Sequence, residues 1–162
     1  MIYKIRVILD SEEDIFRDLE IEEHATLEDL HNTVTQAFGF LGNEMASFYT
    51  CDEQWNQDEE IALFDMGGSE VRLMGETGMT DVLTEESPKL IYVYDFLSMW
   101  TFFVELADIV PKEDGRNYPN LLISFGELHE SPPEKRFESK PSIDFDDVTD
   151  QYDDLDFDEN WN

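Results

Sequence analysis

Three things are scarce in this 162-residue sequence: cysteine, positive charge and long apolar runs. The single cysteine, Cys51, excludes an internal disulfide framework and any metal cluster built from cysteines alone, and it suits a reducing compartment. Ten Lys and Arg stand against 40 Asp and Glu, a formal net charge of −30. Phosphate backbones are held by several Lys or Arg that release counterions, so direct binding to DNA or RNA is not expected. Anionic membrane surfaces are disfavoured for the same reason. The most apolar stretch, residues 96–110, falls short of the ~18 apolar residues of a spanning helix and carries Glu105 and Asp108. No basic segment leads into an apolar run at the start, so no secretory signal is expected and the chain reads as cytoplasmic.

What is present is enough for a core: 41% of residues are apolar and 13% aromatic, which excludes full disorder. The charge is uneven. Residues 1–110 carry 5 basic and 25 acidic side chains, residues 111–140 carry 5 and 6, and residues 141–162 carry none and 9. This divides the chain into a domain at 1–126, a Pro-containing linker at 127–140 and an acidic, aromatic tail at 141–162 that is not expected to fold alone.

Within the domain the hydrophobic period switches between about 2 and about 3.6 residues. Tyr3, Ile5, Val7 and Leu9, then Ile15, Arg17, Leu19 and Ile21, alternate with more polar neighbours and predict a first hairpin. Thr26 stands three residues before Asp29 and ahead of Leu27, Leu30, Val34, Ala37 and Phe38, with Gly39 after them. That is the pattern of a capped amphipathic helix ended by glycine. Residues 47–51 read as a short strand and 52–60 as a polar loop. Residues 61–66 and 70–74 flank Gly67 and Gly68, a doublet suited to a tight hairpin turn. A helical turn is expected within 80–86, strands at 89–97 and 100–109, and an edge strand at 121–125. The class is α+β: a mixed or largely antiparallel sheet with one main helix on one face.

Three strings, YKIRVIL at the start, TLEDLHNTVTQAFGF through the helix and YVYDFLSMWTFFVEL in the late strands, resemble the Ri-plasmid ORF-three-like family, which includes insertion-element passenger proteins. The resemblance covers roughly residues 2–110 and implies a ubiquitin-like start, in which a hairpin cradles the helix, with a poorly defined function. Where the family tends to read YDF-Gly-Asp-Gly-W, this chain reads Tyr94, Asp95, Phe96, Leu97, Ser98, Met99, Trp100. The family's later Cys-containing, Gly-rich segment is here only NYPNLLISFGELHESPPE. Sites built on that turn or those cysteines are therefore in question.

The link with mobile elements invites a recombinase reading, which the residues resist. Strand transfer needs arginines around an anionic transition state, and the arginines of residues 1–110 are only Arg6, Arg17 and Arg72, the first two on the hairpin among carboxylates. His24 and His31 are seven apart, and His31 reads as a helix-rim histidine bonded to a carboxylate; His129 stands alone in a loop. No metal or cofactor is implied. Asp154, Asp156 and Asp158 match the first, third and fifth positions of an EF-hand loop, but Glu159 replaces the required glycine. Cys51 reads as a small buried hydrophobe. The aromatic set Tyr92, Tyr94, Phe96, Trp100, Phe102 and Phe103 lacks interleaved cations and reads as core rather than as a base-stacking platform.

The tail keeps its distinctiveness. Ile143, Phe145, Tyr152, Phe157 and Trp161 are interleaved with Asp146, Asp147, Asp154, Asp156 and Asp158. Solubilisation alone needs no aromatic rings, whereas rings among carboxylates suit anchoring in apolar pockets with a basic rim. The leading expectation is a non-enzymatic adaptor or regulator that docks on a basic protein partner within a larger complex. Such partners include polymerases, recombinases and ribosome-associated factors, whose phosphate sites an acidic chain can occupy as a DNA mimic. A second reading is a cryptic enzyme or small-ligand domain with a pocket between the helix and the late strands, using His31, Asp95 and Trp100. In a third, a neighbour pairs exposed strand edges.

Overall fold

A computed structural model describes residues 1–65, 67 and 71–129. Strands β1 (Ile2–Leu9) and β2 (Phe16–Glu22) precede helix α1 (Leu27–Phe38). They are followed by β3 (Ala46–Cys51), β4 (Gln57–Ala62), β5 (Arg72–Leu73), β6 (Lys89–Tyr94), β7 (Trp100–Val110) and β8 (Asn120–Phe125). The eight strands form one sheet in the order β5-β4-β3-β6-β7-β1-β2-β8. Only β4 and β5 run parallel, so the α+β class and the mixed sheet hold.

The alternation expected of the first hairpin is realised: Tyr3, Ile5, Val7, Leu9, Ile15, Leu19 and Ile21 all join the core under α1. The helix contributes Leu27, Leu30, Val34 and Phe38 to the same core. Its start is a full capping box, with Thr26 Oγ1 accepting from Asp29 N (3.1 Å) and Asp29 Oδ2 accepting from Thr26 N (3.0 Å). Gly39 closes it at φ +84°, a left-handed conformation that favours glycine. Thr26→Ala is expected to lower stability by about 1 kcal/mol, read as a reduced urea midpoint at unchanged slope.

Four expectations are corrected. The 52–60 loop is shorter, because Gln57–Ala62 forms β4 against β3; cross-strand pairing overrides the low strand propensity of Asp58, Glu59 and Glu60. The Gly67–Gly68 hairpin is absent, since β4 and β5 are parallel and a two-residue turn cannot join parallel strands. The helical turn expected within 80–86 lies earlier, as two 3₁₀ turns at Met74–Glu76 and Met79–Asp81 that tie α1 in place through Leu27 N to Thr77 O and Met79 N to Ala25 O. β6 stops at Tyr94, because Asp95 takes φ +63° to begin the turn into β7.

That turn also gives a physical reason for a glycine of the family pattern. Met99 sits where the family tends to carry glycine, and its φ is +61°. A side chain in this region costs about 1–2 kcal/mol, partly offset by the chain entropy that glycine brings. Met99→Gly is therefore expected to stabilise the fold by about 0.5–1 kcal/mol, visible as a raised thermal midpoint.

Candidate interaction surfaces

The tail residues Ile143, Phe145, Asp146, Asp147, Tyr152, Asp154, Asp156, Phe157, Asp158 and Trp161 lie outside the described residues, as does most of the linker. The second expected site falls inside them, and its three members have separate employments. His31 is wholly buried, with Nδ1 2.6 Å from Tyr92 Oη, so it is a core group and not a rim histidine bonded to a carboxylate. Burial pushes its pKa down to about 4. Asp95 is spent on the β6–β7 turn, where Oδ1 accepts from Leu97 N (3.2 Å) and Ser98 N (3.4 Å). Trp100 is buried against Phe40, whose ring stacks on Tyr94, which in turn contacts His31. A chain of rings, rather than an opening, connects His31 to Trp100.

The other singled-out residues also find definite places. Tyr92 and Phe102 are fully buried, as core packing requires, but Phe96 is exposed at the turn and Phe103 belongs to the opposite sheet face. Cys51 is half-buried, and burial raises the pKa of its thiol. His129 is not alone: its Nε2 lies 2.9 Å from Glu13 Oε2. Arg17 does not sit among carboxylates. It is buried beneath the hairpin, where Nη1 donates to Phe16 O (2.8 Å) and Phe125 O (3.0 Å) and Nε donates to Ala37 O (3.2 Å) in the last turn of α1. Its guanidinium lies 4.7 Å from the Phe38 ring centre.

Employment of the cations is the main electrostatic finding. The described residues contain 7 Lys and Arg against 27 Asp and Glu. Besides buried Arg17, Arg6 forms a two-pronged bridge to Asp18 (2.8 and 2.9 Å). Arg72 pairs with Glu59, and Lys112 with Glu22. Arg116 reaches the nearly buried Glu20 at 2.7 Å and also pairs with Glu113. Lys89 donates to Glu53 O and covers the Trp55 ring at 4.8 Å. Six of the seven are thus engaged inside the fold, which leaves the carboxylates in wide surplus at the surface.

Two surface features have no counterpart in the sequence reading. A cleft of about 440 Å³ runs along the polar flank of α1, between Asn32 and Gln36 on the helix, Glu22 at the end of β2, His24 just after it, and Tyr118 of the β7–β8 loop. Its wall is acidic and amide-bearing. The second feature is the sheet face opposite α1. There the cross-strand pairs line up Phe125, Phe16, Ile8, Phe103, Ile91 and Tyr49 in one apolar row across six strands. Beside it, Asp18, Arg6, Glu105 and Lys89 form a ladder of alternating charge. Phe16 is stacked on Phe125 (ring centres 5.3 Å apart), and Arg6 covers Phe16 at 4.2 Å. Trp55 covers Phe103 in the middle of the row. It is presented by a loop in which Asn56 amide donors hold the Asp52 carboxyl below its usual pKa. Register, which sequence alone leaves open, creates this row.

Among the described residues no helix is long and apolar enough to cross a membrane. No curated protein matches the sequence. The fold is similar to the crystal structure of a protein of unknown function from Methanosarcina mazei Go1, with a TM-score of 0.67 and 21% identity over 76% of this chain and 68% of that one. The family model for plasmid pRiA4b ORF-3-like protein matches residues 1–135, which takes in all of the described sheet and helix, and the chain belongs to that family.

Proposed function

We propose that this protein is a non-enzymatic adaptor or regulator that docks on a basic protein, with a nucleic-acid-handling protein as the favoured partner class. The observation that carries the reading is the internal use of the cations: six of the seven Lys and Arg among the described residues are committed within the fold, so the outward field is set by carboxylates. Such a field speeds encounter with a partner of opposite sign and is weakened by salt. Affinity also needs apolar anchors, and Phe145, Phe157 and Trp161 among the tail carboxylates have that character. The family's association with mobile elements agrees with a partner that handles DNA, and surplus carboxylates can then occupy a groove built for phosphates.

The test is capture from the native host at low and high salt with the full chain and with the variant Phe145→Ala/Phe157→Ala/Trp161→Ala, which keeps every charge. The expected result is a basic protein retained at low salt, released at high salt, and lost faster from the variant. Identical capture by both chains in all conditions overturns the reading.

A further inference from the structure

The two edges of the sheet are treated in opposite ways. At the β4–β5 edge the exposed part of β4 carries Asp58 and Glu59, and β5 has only two residues; charge and brevity are the usual protections of a free edge. At the other edge β8 reads Asn-Leu-Leu-Ile-Ser-Phe, six residues with no charge at all, in a chain with 40 acidic side chains. Leu121, Leu122, Ile123 and Phe125 are 48%, 37%, 49% and 52% exposed. Among the described residues β8 pairs with β2 alone, so its backbone donors and acceptors on the far side face away from the described sheet.

Nor is β8 a loosely attached strand. Glu20, 2% exposed, accepts from Asn120 Nδ2 (3.0 Å) at its start and binds Arg116 of the preceding loop. Arg17 holds Phe125 O at its end, and Phe125 stacks on Phe16. A rigid, uncharged, apolar edge with its hydrogen-bonding groups turned outward is built for pairing.

We infer that β8 pairs antiparallel with β8 of a second copy of this chain, continuing the sheet through a two-fold axis. Charge selects this occupant. A basic partner is drawn to the carboxylate surfaces and gains nothing from a neutral strand, whereas a second copy of so acidic a chain can approach only where charge is missing. An axis through Ile123 sets this uncharged residue against its own copy, as an isologous contact requires, while the bulge at Leu122 leaves Leu121 on the core face and Ile123 and Phe125 on the other. The described chain leaves β8 through Gly126, which packs against Asp14 and Ile15, and reaches Glu13 through His129. It therefore turns toward the β1–β2 connection and does not return along the outer edge.

Salt distinguishes this contact from the basic-partner reading, because screening weakens attraction to a basic protein but relieves repulsion between two acidic copies. Sedimentation velocity on the full chain over a concentration series, at low and high salt, is expected to show a monomer–dimer equilibrium that shifts toward dimer as salt rises. Ile123→Lys puts like charges opposite each other at the axis and should raise the dimer dissociation constant about tenfold or more. Within one copy the new lysine lies opposite Asp18, and an unchanged thermal midpoint at low concentration shows that the fold is intact. Leu121→Lys should act in the same direction. Monomer at every salt and concentration overturns the inference, as does a dimer that both variants leave unchanged. Protection of the outward β8 amides from hydrogen exchange at a concentration where the chain sediments as monomer also overturns it, by showing that the chain covers its own edge.

Discussion

Arg17→Ala is expected to lower the free energy of unfolding by about 3–5 kcal/mol in urea titration, the largest loss for any one substitution considered. The guanidinium joins three elements at once: it takes the Ala37 carbonyl from the end of α1, the Phe16 carbonyl from β2 and the Phe125 carbonyl from β8. A hydrogen bond to a charged group contributes about 1.5–3 kcal/mol, and removing the donor strands buried acceptors. The helix C-terminus favours a cation, and α1 has no basic residue in its last turn, so Arg17 supplies that charge from the strand below. Burial lowers the pKa of Arg17, yet a guanidinium stays protonated at neutral pH. Arg17→Lys should recover part of the loss, since one ammonium cannot reproduce the planar fork on separate carbonyls. If Arg17→Ala unfolds at the wild-type urea midpoint, this view of the α1–β2–β8 junction is wrong.

The second large effect is a pH dependence. In the unfolded chain His31 titrates near its ordinary value of about 6.5. In the fold, burial pushes its pKa down to about 4. Between those values the unfolded chain holds the proton and the folded chain does not, so stability is fully present above about 6.5 and falls as pH drops toward 4. The loss amounts to about 3 kcal/mol across that window. His31 meets Tyr92 through Nδ1, and its Nε2 has no partner among the described residues, so nothing there compensates a second ring proton. Other titrating groups are subtracted by comparison with His31→Leu/Tyr92→Phe, which removes both polar partners together. That variant is expected to lie near the wild type at pH 7 and to lose this acid dependence. His31→Leu alone leaves a buried hydroxyl unpaired and should cost about 1–3 kcal/mol at neutral pH. Equal acid dependence in wild type and double variant would remove His31 from the explanation.

Local signals carried the parts of the fold that depend on local physics. Thr26, Asp29 and Gly39 marked both ends of α1 because capping and left-handed closure involve neighbours in sequence. The hairpin was legible from alternation because one face is buried. What pairs with what was not legible. β4 is acidic and reads as loop, yet it is held as strand by β3 and by contacts such as Ser47 Oγ donating to Glu60 Oε2 at 2.7 Å. His31 looked like a rim residue because it follows Leu30, but α1 buries a broad face that includes Thr33 and Thr35 as well, and Tyr92 waits opposite it from 61 positions away. Arg17 alternated with the core residues Ile15 and Leu19, and that register was the available sign that it points inward. The uncharged string at Asn120–Phe125 was likewise visible; its meaning depends on β8 standing at the edge.

Zero-length carboxyl-to-amine cross-linking of the full chain in extract from the native host, read by mass spectrometry, tests the central proposal most directly. The expected result is a set of links from carboxylates of residues 141–162 to lysines of one basic protein, abolished at high salt and thinned by Phe145→Ala/Phe157→Ala/Trp161→Ala. Links from that segment only to Lys4, Lys89 or Lys112 of the chain itself, or to no lysine of another protein, would contradict it.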